Sequence, residues 1–168
     1  MVSSTRKLSA EHTEEMAEIA GLSFCAQAQS VVLLDEKAHP VRPSMSYMDT
    51  RAGEIRHRLG AKSPTIAGAG LFFLLKSLYH TGVVAASDKD PVWKYLWVKE
   101  NEPKLFARVR AWLDVKDALI ARMTGRFSMS LDSAFATLLL DRRGREPRFS
   151  EALIKTCLLY TSPSPRDS

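Results

Sequence analysis

Two short apolar runs, Ile19–Phe24 and Val31–Leu34, stand ahead of a succession of helix-length segments, and that order narrows the available folds more than any other feature. Both runs are too short for stable helices and rich in β-branched or bulky apolar residues, so both are expected to be strands. The polar stretch Ala26–Ser30 lies between them, Asp35–His39 reads as a turn, and Pro40 and Pro43 bracket an extended piece. A helix is expected to start at Ser9–His12, where Glu11, Glu14 and Glu15 suit its positive end. Further helices are expected at Thr50–Leu59, Leu71–Tyr79, Val92–Glu100 and Val115–Met123, with a last one beginning at Phe149. Pro103 sits where a first helical turn tolerates proline, and Gly125 sits where a helix stops. Trp112-Leu113 reads as a short strand, and Ser130–Ser133 opens an apolar segment running to Leu140. Strands followed by helices with short strand pieces imply an α/β or α+β fold.

The 168 residues suffice for one domain or a large piece of one, and 45% hydrophobic with 26% charged residues is the balance of a core-forming chain. A net charge of +5 raises the question of nucleic acid. The densest basic stretch, Arg142, Arg143, Arg145 and Arg148, is broken by Glu146 and Pro147, which fits a solvated loop and no nucleic-acid partner. The two cysteines, Cys25 and Cys157, have neither CxxC spacing nor neighbouring histidines, so neither zinc nor a disulfide framework is indicated. The N-terminus lacks the apolar core of a signal peptide. Ile66–Leu75, the most apolar stretch, is too short to span a bilayer, so a cytoplasmic protein with no membrane association is expected. His12, His39, His57 and His80 fall at no metal-binding interval. Gly68-Ala-Gly70 lacks the lysine of a phosphate loop, and Ser23 lacks the flanking glycines of a nucleophile elbow.

A longer constellation is more specific. Ile19–Gln27, Val32–Asp35, Val41–Pro43 and Tyr47–Ala52 occur in the order seen in the first domain of the FGGY carbohydrate kinases, which the chain resembles. Downstream, Asp90–Asn101 is similar to that family's segment around Lys-x-x-Trp, here Lys94 and Trp97, although Lys89 stands where a small or aromatic residue is usual. Glu102–Phe106, Val115–Asp117, Met123–Phe127 and Asp132–Ala134 follow in the family's order. The Lys-Asp and Thr-Gly pieces, with Thr81-Gly82, resemble a xylulose-kinase-like branch most closely. The resemblance implies a ribonuclease-H-like (actin-like ATPase) α/β domain over residues 1–156, lacking its first strands, and ATP- and Mg²⁺-dependent phosphorylation of a sugar or polyol hydroxyl. A homodimer is left open for the full-length protein.

The same resemblance nominates Gln27, Gln29 and Asp49 as substrate-binding residues and assigns no catalytic or metal-binding residue to this chain. Ala28 occupies a position where the family uses a polar side chain, so that contact is lost or replaced. Gln29 can both donate to and accept from a hydroxyl. Asp49, with Tyr47 in a position usually held by tryptophan, can accept from vicinal sugar hydroxyls through charge-assisted bonds. Plainer roles stand beside these: Gln27 as the clasp of a turn, Asp49 as the cap of a helix starting at Thr50, and Arg51 as a local partner of Asp49 or Glu54. Trp93 and Trp97 are expected in the core, and Lys116 and Asp117 at a helix start.

Phosphoryl transfer needs phosphate-binding donors, a metal site and a base. The family draws these from an Asp-x-Gly-Thr hairpin and a second domain, which match nothing in this chain, so the chain alone is expected to be inactive. Residues 157–168 are similar to one reading frame of a sequencing-library adapter and are expected to be a non-native tail. Another FGGY branch, a ribulose or glycerol kinase, stays open, although Ala28-Gln29 differs from the Arg-Glu that glycerol kinases resemble there. A non-catalytic sugar-binding or scaffold protein derived from the fold stays open as well.

Overall fold

The computed structural model describes residues 2–60, 65–66 and 69–158. The chain opens with helices α1 (Val2–Glu11) and α2 (Thr13–Ala17), then strand β1 (Val32–Leu34), helix α3 (Gly53–Gly60), the strand pair β2 (Thr65–Ile66) and β3 (Ala69–Gly70), and helix α4 (Leu71–Thr81). Helix α5 (Pro91–Asn101), the single turn α6 (Pro103–Phe106), strand β4 (Ala111–Leu113) and helices α7 (Val115–Thr124) and α8 (Leu131–Ala136) follow. Strands β5 (Leu140–Asp141) and β6 (Arg148–Phe149) and helix α9 (Glu151–Leu158) complete the described elements.

Strand β1 is the inner element. It pairs antiparallel with β4, Leu33 opposite Trp112, while Val31 bridges Met45 and Leu34 bridges Pro40 on its other side. With backbone partners on both edges and side chains covered on both faces, all three of its residues are buried, which is why an unbroken apolar run suits it. Helix α5 lies between two parts of the core. Its Val92, Trp93 and Leu96 pack with Ala52 and Ile55 of the α3 region and Leu153 of α9, while its Val98 packs with Val31, Leu33, Val41 and Met45. Val32, Leu34 and Leu113 meet Ala118 and Ala121 of α7 in a third cluster. Ion pairs lace these elements together: Arg58 to Glu100 at 2.6 Å joins α3 to α5, and Arg42 to Glu102 at 2.7 Å anchors the segment after β1.

Helix ends follow local chemistry where local chemistry is strong. Asp114 precedes α7 and accepts from the Val115 N–H at 2.7 Å, and Gly125 closes the same helix at φ 71°. Ser150 accepts from the Leu153 N–H at 3.3 Å at the start of α9. The expected core placement of Trp93 and the strand at Trp112-Leu113 are both found.

Four expectations are corrected. Ile19–Phe24 is not a strand: Ile19 and Leu22 are 55% and 68% exposed, and no strand among the described residues pairs with the run, whose Ile19 N–H instead reaches the Met16 carbonyl at 3.5 Å. A strand's N–H and C=O groups need a neighbour, and composition alone does not provide one. The first helix begins at Val2, not Ser9, and breaks at His12 before α2. Helix α3 begins at Gly53, not Thr50; a turn closed by the Gly53 N–H on the Thr50 carbonyl at 3.0 Å precedes it. A Cβ at position 53 would lie 3.0 Å from the Asp88 carboxyl carbon, so the glycine lets that side chain pack close to the helix start. Phe149 pairs with Leu140 in β6, which delays the last helix to Glu151. Gly68 and residues 159–168 of the expected tail lie outside the described residues. Among the described residues no helix is long and apolar enough to cross a membrane.

Two predictions concern stability. Gly125→Ala forces a Cβ into a left-handed conformation and should cost about 1–2 kcal/mol in urea unfolding, with Gly125→Asn losing less. The second concerns acid. Hydrogen bonds from Lys116 and then Ser130 hold the Asp132 carboxyl down at about 2, and those from Arg143 and then His80 hold Asp141 well below the usual carboxylate range. The unfolded chain, with carboxyls near 3.8, therefore takes up protons first as the pH falls. Stability from both groups is complete above the unfolded value and is lost as the pH drops through the folded ones. Melting temperature measured from pH 5 to pH 2 should fall less steeply in Asp132→Asn than in the parent.

Candidate functional site

Helix α5 carries the site's central group. Its Lys94 side chain has 0% exposure, and its Nζ donates to the Gln29 carbonyl at 3.2 Å and to the Ser46 carbonyl at 2.7 Å. One ammonium thus fastens the turn before β1 to the segment that leads into α3. The sequence nominates Gln29 from the first and Asp49 from the second, and Lys94 joins the two. Burial pushes the Lys94 pKa down, against the opposing pull of Asp49, Asp90 and Asp114.

Gln29 has φ 65°, a left-handed conformation unusual for a residue with a side chain. Its carbonyl accepts from Lys94 Nζ, and Asp114 lies beside the same turn. Burial pushes the Asp114 pKa up, and the N–H groups of Val115, Gln29 and Ser30 pull the other way. Gln27 is exposed, and its Nε2 donates to Ser30 Oγ at 3.0 Å, the clasp expected of a turn residue. A small recess beside this turn is lined by Gln29, Ser30, Asp114, Ser133 and Thr137 among others.

Asp49 is half-buried. Its Oδ1 accepts from the Arg51 N–H at 3.1 Å and Arg51 Nε at 2.9 Å, and Arg51 Nη2 reaches Oδ2 at 2.9 Å. The Arg51 guanidinium lies 5.1 Å from the centre of the Trp97 ring, so α5 holds this segment at Trp97 as well as at Lys94. With α3 starting at Gly53, Asp49 is not that helix's cap; its carboxylate closes a local turn through Arg51. Partial burial opposes ionisation of Asp49, and the Arg51 hydrogen bonds outweigh it and hold the pKa below the ordinary value. An ionised, half-exposed carboxylate can accept from hydroxyls.

Sequence reasoning left Asp114 out of the site and treated Lys94 only as part of a motif. Asp114 accepts from the Val115 N–H at the start of α7 and also lines the recess beside the Gln29 turn, a proximity that only the fold creates. Among the described residues no three His, Cys, Asp or Glu side chains are placed to hold a metal ion.

Comparison with known proteins decides the lineage. The profile of the FGGY family of carbohydrate kinases, N-terminal domain, matches residues 1–160. The chain belongs to the FGGY family of carbohydrate kinases. It is 33% identical over 138 residues to a xylulose kinase of Lactococcus lactis, covering 80% of this chain and 25% of that protein. It is 27% identical over 150 residues to a xylulose kinase of Escherichia coli, covering 89% of this chain and 28% of that one. The crystal structure of a xyloylose kinase from Brucella ovis superposes with a TM-score of 0.73 at 27% identity over 92% of this chain and 29% of that one. The fold is therefore the ribonuclease-H-like, actin-like ATPase α/β domain of these FGGY kinases, of which the chain is xylulose-kinase-like. It spans about a quarter of the length of these curated relatives.

The electrostatics of Asp49 can be checked directly. Arg51→Ala removes the hydrogen bonds that favour its carboxylate and leaves the burial that opposes it. The Asp49 carboxyl resonance, followed by NMR titration, should move to a higher pKa in this variant. An unchanged or lower value would mean that another group sets its ionisation.

Proposed function

We propose that this chain is the sugar-binding portion of an ATP-dependent carbohydrate kinase that phosphorylates a hydroxyl of xylulose or a similar ketose. Membership of the FGGY family supports the reaction class, and the xylulose kinases among its relatives favour that sugar over glycerol. The observation that carries the site is the shared Lys94 ammonium, which brings the Gln29 and Asp49 segments into one neighbourhood. In this reading Gln29 exchanges donor and acceptor bonds with one hydroxyl, Asp49 accepts from neighbouring hydroxyls, and Gln27 holds the turn that presents Gln29.

ATP and Mg²⁺ are the family's co-substrate and metal, and the metal supplies charge neutralisation on the transferring phosphates. No described cluster fits that metal, so the chemistry assigned to this chain is confined to binding and orienting the sugar. The phosphate-binding hairpin and catalytic aspartate of the family match none of the residues that carry the resemblance, and we read this chain as unable to turn over ATP alone. The protein is read as acting in the cytoplasm.

Steady-state kinetics of the full-length kinase test the reading. Gln29→Ala should lower kcat/KM for xylulose by up to about tenfold, since a neutral hydrogen bond contributes about 0.5–1.5 kcal/mol. Asp49→Asn should cost more, because it removes charge-assisted bonds. KM for ATP should stay unchanged in both. Unaltered sugar kinetics in both variants would remove the site assignment and leave the family assignment intact.

A further inference from the structure

Arg51 engages the Asp49 carboxylate unevenly. Its backbone N–H donates to Oδ1 at 3.1 Å, and its Nε donates to the same oxygen at 2.9 Å. Its Nη2 stands 2.9 Å from Oδ2 as an ion-pair contact, and among the described residues no group donates a hydrogen bond to Oδ2. A carboxylate oxygen offers about two acceptor positions. Those of Oδ1 are therefore filled from within the turn, and the guanidinium edge stands against one side of Oδ2. The Asp49 side chain keeps 16% of its exposure, so the carboxylate reaches the surface on a narrow front.

The guanidinium is itself backed by the core. It lies 5.1 Å from the centre of the Trp97 ring, and Trp97 packs against two of the core clusters. Three residues earlier on the same helix, Lys94 donates to the Ser46 carbonyl at 2.7 Å, so α5 holds the Asp49 segment on both sides of the aspartate. A planar guanidinium suits this place where an ammonium does not, since it stacks by its face and bonds by its edge at once.

We infer that Asp49 meets the sugar through Oδ2 alone, accepting from a single hydroxyl, and that Arg51 is the positioning residue that occupies Oδ1 and aims Oδ2. The inference rests on the proposal that Asp49 contacts the substrate, and it narrows that reading from neighbouring hydroxyls to one. Arg51 touches no sugar in this scheme. The consequence is a specificity: the carboxylate distinguishes the sugar at one carbon and is indifferent to the hydroxyls on the others. A sugar altered at that carbon loses the charge-assisted bond, and one altered elsewhere keeps it.

A cycle between substrate and enzyme reads this count. In the full-length kinase, kcat/KM is measured for xylulose and for its mono-deoxy analogues that retain the phosphorylated hydroxyl, in the parent and in Asp49→Ala. At one position, deoxygenation should cost about ten- to a hundredfold in the parent, the range of a hydrogen bond to a charged group, and nothing in Asp49→Ala. At the other positions both enzymes should lose the same factor. Coupling at two positions would overturn the single contact while leaving Asp49 in the site. Coupling at none would remove Asp49 from the site, and the inference with it.

Asp49→Asn covers the case in which Asp49→Ala does not fold. Its carbonyl oxygen takes the Oδ1 place, where two donors converge, and its amide nitrogen falls where Oδ2 was, so the single coupling should shrink. Undiminished coupling would put the contact on Oδ1 and overturn the inference. Arg51→Lys keeps the charge and the backbone N–H and lacks the planar edge. It should lower kcat/KM for xylulose on the order of tenfold, with the coupled deoxy analogue and KM for ATP unchanged. An equal fall for xylulose and the analogue would mean that Arg51 only supports the fold, which overturns its positioning role. Exchange of the Arg51 Nε–H, followed by NMR on this chain, should be slow in the parent and fast in Asp49→Ala. Fast exchange in the parent would mean that Oδ1 is not occupied and would overturn the inference without any turnover being measured.

Discussion

Burying an ammonium costs several kcal/mol even after the surroundings relax, and a lysine normally avoids that cost by reaching to water. Lys94 has no such route. Helix α5 contributes residues to two core clusters, on either side of it, and its apolar neighbours Trp93, Leu96 and Val98 fix its rotation and depth. The position of Lys94 is thus dictated by the packing of residues around it. What remains adjustable is its company, and the fold supplies two carbonyls in contact and three carboxylates nearby. The segments that bring those groups, the turn before β1 and the stretch from Ser46 to Arg51, are irregular backbone that this cation ties together beside the Val31–Met45 bridge.

What the sequence made legible follows from how local each feature's cause is. Strand β1, helices α4, α5 and α7, the Pro103 opening of α6 and the Gly125 stop are written in contiguous residues: an unbroken apolar run, apolar spacing at helical period, a proline and a glycine. Ile19–Phe24 has much the same composition as β1 and a different fate, because a strand is a relation between two backbones and the second is not written in the run itself. Phe149 shows the converse. It resembles the start of an amphipathic helix, yet pairing with Leu140 across a short hairpin claims it first. Helix α3 starts at Gly53 after a turn that the Gly53 N–H closes on the Thr50 carbonyl at 3.0 Å.

The site divides in the same way. Gln29 and Asp49 could be nominated from a resemblance, since each sits in a short recognisable stretch. That both depend on Lys94 could not, because its contacts with Gln29 and Ser46 reach across most of the distance between α5 and the chain's first strand. Asp114 was not singled out in the sequence at all, because its place beside the Gln29 turn is created by the fold.

The carboxylates around Lys94 also show how one cation can serve groups with opposite duties. Asp114 is buried, its pKa is pushed up by desolvation, and its Oδ1 is committed to the Val115 N–H at 2.7 Å. Asp90 is buried and raised for the same first reason, and its Oδ2 is committed to the Ser87 N–H at 2.8 Å. Asp49 is the one among them that is half-exposed and whose pKa is lowered, by Arg51. Two of the three are therefore spent on holding the protein's own backbone, while the third is kept ionised at the surface by an arginine that itself rests on Trp97 of α5. A sugar hydroxyl approaching this neighbourhood would find one carboxylate with both charge and access. Burial, more than distance from the ammonium, separates the accessible, ionised Asp49 from the two carboxylates committed to backbone.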